Sequence, residues 1–155
     1  MLRGIAISIT GVLLSLVGAV VMSSGTGCTA QPVDVDHVAT VDTSISGYTG
    51  DQLVNAAILM NVATGQGLGR QAQIIGVTAA IAQSGLRNAT ATGESSELGL
   101  FAQSEAWGTV EQRLDPSHTA VLFYAQLQRI SGWESANPAM VAVQVTGNAT
   151  ADFTG

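Results

Sequence analysis

A chain of 155 residues in which 46% are hydrophobic and 10% are charged can build one small packed domain and is too apolar for a disordered polymer. Eleven acids against five bases give a formal net charge of -6, and the bases are single arginines at 3, 70, 87, 113 and 129. With no basic cluster to follow a phosphate backbone, nucleic acid is not an expected partner. His37 and His118 are the only histidines, lie far apart, and belong to no H-x-x-x-D or H-x-H arrangement, so neither a metal nor another cofactor is expected. The lone Cys28 excludes an intrachain disulfide and a redox pair. A thiol nucleophile needs a nearby base, and no histidine lies closer to Cys28 than His37.

Residues 4–22, behind Arg3, form an uncharged run close to the roughly 20 residues of a bilayer-crossing helix. It reads as a membrane anchor or an export signal, with the remainder of the chain on the outer side of the membrane. Three outcomes stay open: an uncleaved anchor, cleavage near the small residues at 23–27, or a lipoprotein at Gly27-Cys28, where Gly25 replaces the usual leucine.

Residues 29–50 are rich in Thr, Ser, Asp and Gly, with Pro32 and aspartates at 34, 36 and 42, and read as an extended linker. The domain proper is expected over 51–155. Its first helix starts at Asp51 as a cap, carries Leu53, Ala56, Ala57 and Met60 at helical spacing, and ends at Gly65 and Gly67. A second runs from Arg70 to Ser84, with Ile74, Ile75, Thr78, Ala79 and Ala82 as a small-residue packing face and Gly85 as the left-handed residue beyond its end. A polar loop containing Glu94 and Glu97 follows, then Leu98-Gly99-Leu100-Phe101, read as extended or briefly helical.

Thr109 and Gln112 have capping-box spacing, so a short helix is expected before Asp115. Asp115-Pro116 opens a longer helix with an apolar stripe of Ala120, Val121, Phe123, Tyr124, Leu127 and Ile130 that ends before Gly132, and His118 is expected to be exposed in its first turn. Trp133 begins a loop, and Asn137-Pro138 starts a last helix through Val145. The triplets at Asn88 and Asn148 match a glycosylation pattern and are read as chance. No repeat is evident, and the fold class is all-α.

The pieces Ile81 to Asn88, Leu98 to Gln103, Ala106 to Thr109, Leu114-Asp115-Pro116, Phe123-Tyr124 and Gly132-Trp133 together resemble the lysozyme-like domain of the goose-type lysozyme and soluble lytic transglycosylase group. The similarity is to the version found in actinobacterial cell-wall hydrolases, and it spans most of the second two-thirds of the chain. It implies a helical domain whose sugar cleft has a Gly-Leu-Phe floor, and a glutamate before the serine at the end of the second helix. Here Gln83 stands in the place of that acid, and Ala102 stands where the first of two sugar-facing glutamines is expected, leaving Gln103. Related domains continue into a further helix with a buried aromatic, whereas this sequence has Phe153 close to its end.

Glycosidic cleavage needs a carboxylic acid with a raised pKa to protonate the departing oxygen. Carbonyls at a helix C-terminus would raise that pKa, but a glutamine amide has no such proton to give. Losing a general acid costs roughly a hundredfold to ten-thousandfold in rate. Three readings of Gln83 remain open: an inactive site that still holds glycan, a site in which Glu94 or Glu97 supplies the carboxyl, and a purely structural amide. Ser84 has no nucleophile elbow or Ser-His-Asp set around it and is expected to bond the helix-end backbone beside the sugar. Leu100, Phe101 and Gln103 belong to the implied cleft floor. Trp107 and Tyr124 could each be a sugar platform or core filler. The resulting expectation is a membrane-tethered, extracytoplasmic domain that binds peptidoglycan glycan strands with weak or absent cleavage. The alternatives are an active muramidase or transglycosylase, and a structural part of an envelope secretion or conjugation complex.

Overall fold

The computed structural model describes residues 32–40, 44–90 and 96–147. The expected anchor or signal at 4–22, Cys28, Glu94, the triplet at Asn148 and Phe153 lie outside them. The described chain is all-α: helices α1 (Val35–Thr40), α2 (Asp51–Gly65), α3 (Arg70–Ser84), α4 (Val110–Leu114), α5 (Pro116–Leu127) and α6 (Pro138–Thr146), with a 3-10 turn at Glu105–Trp107. Extended pairing among the described residues is limited to isolated bridges. None of these helices is long and apolar enough to cross a membrane.

Helix α3 lies at the centre, packed against α2, α5 and α6, while α2 also packs on α5. Its buried residues are Ala72, Gln73, Ile75, Gly76, Ala79 and Ala80, most of them small enough to let neighbouring helices approach closely. At Gly76 a Cβ would collide with the Tyr124 hydroxyl. That hydroxyl crosses between helices to donate to the Leu59 carbonyl at 3.1 Å, so the Tyr124 ring fills the core with its polar tip satisfied. Burial pushes the Tyr124 phenol pKa upward. The face differs from the expected one, because Ile74 is exposed. Helix α3 is apolar on more than one side, so periodicity alone does not choose the side that packs.

The helix boundaries follow local chemistry. Thr109 and Gln112 form the capping box of α4. Asp115 accepts from the Ser117 and His118 backbone amides with Pro116 in the first turn of α5, and Asn137 does the same for α6. Gly85 takes a left-handed conformation (φ 62°) after α3, where a side chain would be strained. Four expectations need correction. Asp51 is the first residue of α2 rather than its cap; Gly50 takes the cap position and makes no side-chain bond. The stretch read as an extended linker contains α1, which packs on α2. There the Asn61 amide exchanges two hydrogen bonds with the Val33 backbone, and Tyr48 packs against the core. Helix α5 ends at Leu127, leaving Val121 exposed and Ile130 half-buried beyond its end. His118 is half-buried.

Candidate functional site

The C-terminal end of α3 is tied to the turn that follows it in space. Ser84 donates its hydroxyl to the Leu100 carbonyl at 2.8 Å and to the Ala80 carbonyl at 3.1 Å. Residues 98–103 form a tight reversal closed by two backbone bonds, Leu98 N to Gln103 O at 3.1 Å and Gln103 N to Leu98 O at 2.8 Å. Gly99 (φ 76°) and Ala102 (φ 47°) both adopt left-handed backbone, which is what turns the chain back within so few residues.

Two residues outside the turn hold it in place. Arg113, 4% exposed, donates through one nitrogen to the carbonyls of Ser96 at 2.7 Å and Gln103 at 3.0 Å. Ala89 accepts from Gly99 N through its carbonyl at 2.8 Å, and the neighbouring Asn88 donates to the Leu114 carbonyl at 2.6 Å. Gly99 sits so close to the Arg113 carbonyl that a Cβ there has no room.

Above this turn lies a cleft of about 400 Å³, lined by Gln83 from α3, Glu97, Phe101, Ala102, Ser104 and Trp107 from the loop, Phe123 from α5, and Thr146 and Gly147 at the end of α6. Phe101 stacks on Phe123 with centroids 4.4 Å apart and planes at 10°, giving the cleft an aromatic base. Trp107 is half-buried and stands outside the core cluster, whereas Trp133 is part of that cluster. Gln83 donates its amide to the Thr146 hydroxyl at 3.3 Å. Glu97 is the only ionisable side chain among the described residues lining the cleft, and it is exposed.

Of the residues singled out in the sequence, Gln83, Glu97, Phe101 and Trp107 come together here. Ser84, Leu100, Gln103 and Tyr124 do not line the cleft. Ser84 is occupied with backbone carbonyls. Leu100 and Tyr124 are fully buried in the core. Gln103 is 2% exposed, and among the described residues neither its amide nitrogen nor its amide oxygen has a hydrogen-bond partner; the left-handed Ala102 before it turns the chain so that 101 and 102 reach the cleft and 103 goes beneath it. The sequence reading missed Ser104, Phe123 and Thr146 as lining residues and Arg113 as the clamp. Phe123 reads in the sequence as part of a core stripe and of the resemblance rather than as a lining residue, and nothing local marks a threonine near a helix end, or a lone arginine, as part of a site.

A second groove of about 580 Å³ lies between the start of α2 and residues 86–88. Its buried amides serve the fold: Gln52 donates to the Gly85 carbonyl at 2.7 Å and Asn55 to the Leu86 carbonyl at 2.9 Å, holding Leu86 in a left-handed conformation (φ 61°). The molecule is thus a small all-α domain with an aromatic-based cleft at the end of its central helix. Compared with protein-family models and with curated proteins, the chain matches none of them.

Proposed function

We propose that this is a lysozyme-like domain that binds peptidoglycan glycan and cleaves it weakly or not at all. The reading rests on one observation: Gln83, Phe101 and Trp107, drawn from three stretches of sequence, line a single cleft. A groove of this kind suits a sugar chain, because an indole stacks on the apolar face of a pyranose ring while Gln83, Ser104 and Thr146 offer polar atoms to hydroxyls. The amide at position 83 supplies hydrogen bonds but no proton for a departing oxygen. Residues 4–22 would tether the domain to the membrane with the cleft in the extracytoplasmic envelope.

Purified cell-wall sacculi provide the test. Retention of the protein on sacculi without clearing of their suspension supports this reading, with Trp107→Ala lowering the retained fraction. A folded protein that is not retained overturns it and favours a structural role in an envelope complex.

A second reading has its own observation, since Glu97 lines the same cleft as Gln83. In that case the domain is an active muramidase or transglycosylase with Glu97 as its acid. Clearing that is abolished by Glu97→Gln and survives Gln83→Ala would establish it. The exposure of Glu97 counts against it, because a general acid works best against an apolar wall.

A further inference from the structure

Building on the glycan reading, we infer that the cleft selects amine-bearing glycan, in which N-acetyl groups have been removed, over fully acetylated or anionic polymer, and that Glu97 sets this preference. The charge pattern of the lining carries the inference. Among the described residues that line the cleft, Glu97 is the only ionisable one, and none is a lysine, arginine or histidine. The whole chain carries a formal charge of -6, so its long-range field has the same sign.

A phosphodiester or carboxylate polymer would enter against both charges with no cation to receive it. A neutral acetylated sugar gains nothing from Glu97 beyond a hydrogen bond. A free ammonium on the sugar gains an ion pair with the Glu97 carboxylate that the acetylated form does not make. Because Glu97 is exposed, water and salt weaken the attraction, and the expected preference is modest, about two- to fivefold.

The experiment compares binding of a glucosamine pentamer and an N-acetylglucosamine pentamer to the full chain by calorimetry at low ionic strength. The expected result is a two- to fivefold tighter affinity for the amine form, shrinking as salt is added. In Glu97→Gln the ratio of the two affinities falls to about one. In Glu134→Gln, which removes the same charge from an exposed residue that does not line the cleft, the ratio persists. That control separates the local carboxylate from the field of the whole protein.

Equal or tighter binding of the acetylated pentamer, or a preference that survives Glu97→Gln, overturns the inference while leaving the glycan reading standing. Failure of both pentamers to bind overturns the two together.

Discussion

Gln83 donates its side-chain amide to the hydroxyl of Thr146 at 3.3 Å, and that hydroxyl donates its own hydrogen to the Ala142 carbonyl at 2.9 Å. Thr146 therefore presents a lone pair to position 83. An ionised carboxylate placed there would meet a lone pair together with the carbonyl end of α3, and both favour the protonated acid. The Thr146 contact and the helix end both favour a neutral side chain at position 83.

Gln83→Glu should consequently show a raised carboxyl pKa. A carboxyl that is harder to ionise in the folded state makes the folded protein bind more protons than the unfolded chain. The stability of the variant relative to wild type then falls as pH rises above the ordinary glutamate value of about 4.3. Melting temperatures of both proteins from pH 3 to pH 8, with pH 3 as the approximate lower limit set by unfolded-state titration, test this. A difference that does not change with pH rules out the environment described. If the catalytic geometry is otherwise complete, the same variant clears cell-wall suspensions that the wild type leaves turbid.

Gly76→Ala tests the close approach of α3 and α5. The new methyl collides with the Tyr124 hydroxyl, so overpacking should cost about 1–3 kcal/mol in denaturant unfolding. Tyr124→Phe removes the hydroxyl and its bond to Leu59. The double variant should be less destabilised than the sum of the two single variants, since the clash is partly relieved once the oxygen is gone. Strict additivity would show that the two residues do not meet.

Tyr124 also sets an alkaline limit. Its phenol is raised by burial above the ordinary value of 10.0, so the folded form keeps its proton longer than the unfolded chain. Stability is full below pH 10.0, the ordinary phenol value, and is lost as pH climbs through the folded-state value. Unfolding free energy should fall more steeply above pH 10.0, the ordinary phenol value, in wild type than in Tyr124→Phe; identical slopes would contradict the burial.

Gly99→Ala should disrupt the base of the cleft in two ways. Its φ of 76° strains an L-residue, a cost on the order of 1–2 kcal/mol, and the added methyl runs into the Arg113 carbonyl. The expected outcome is a loss of about 2 kcal/mol or more in stability, together with reduced retention on sacculi because Phe101 and Ala102 are displaced. Unchanged binding and stability would mean that the turn is not held as described.

Ser84→Ala separates positioning from chemistry. Without the hydroxyl the Leu100 carbonyl, on a buried residue, loses a partner, at about 1–3 kcal/mol. Thermal unfolding should shift accordingly. Ser84→Thr, which can restore the donor, should recover much of the loss.

Caps, breaks and helix spans could be read along the chain because each is made by neighbours in sequence. Thr109 with Gln112, Asp115 with Pro116, Asn137 with Pro138, and Gly85 after Ser84 all work within one turn of backbone, so residue type and spacing suffice to place α3, α4 and the starts of α5 and α6. The all-α class is implied by the resemblance and by the helical spacing of the apolar residues, and the described residues are helical without strands. Which side of α3 packs was decided only in three dimensions: its apolar residues encircle the helix, and the contact between Gly76 and Tyr124 selects the face that exposes Ile74. The cleft was likewise a tertiary product. Thr146 reaches Gln83 from 63 residues away, Phe123 reaches Phe101 across the interior, and Gln103 is turned under the floor by the backbone of Ala102. Residues far apart in sequence carry no local signature of meeting, and it is the packing of α3, α5 and α6 that brings them to one place.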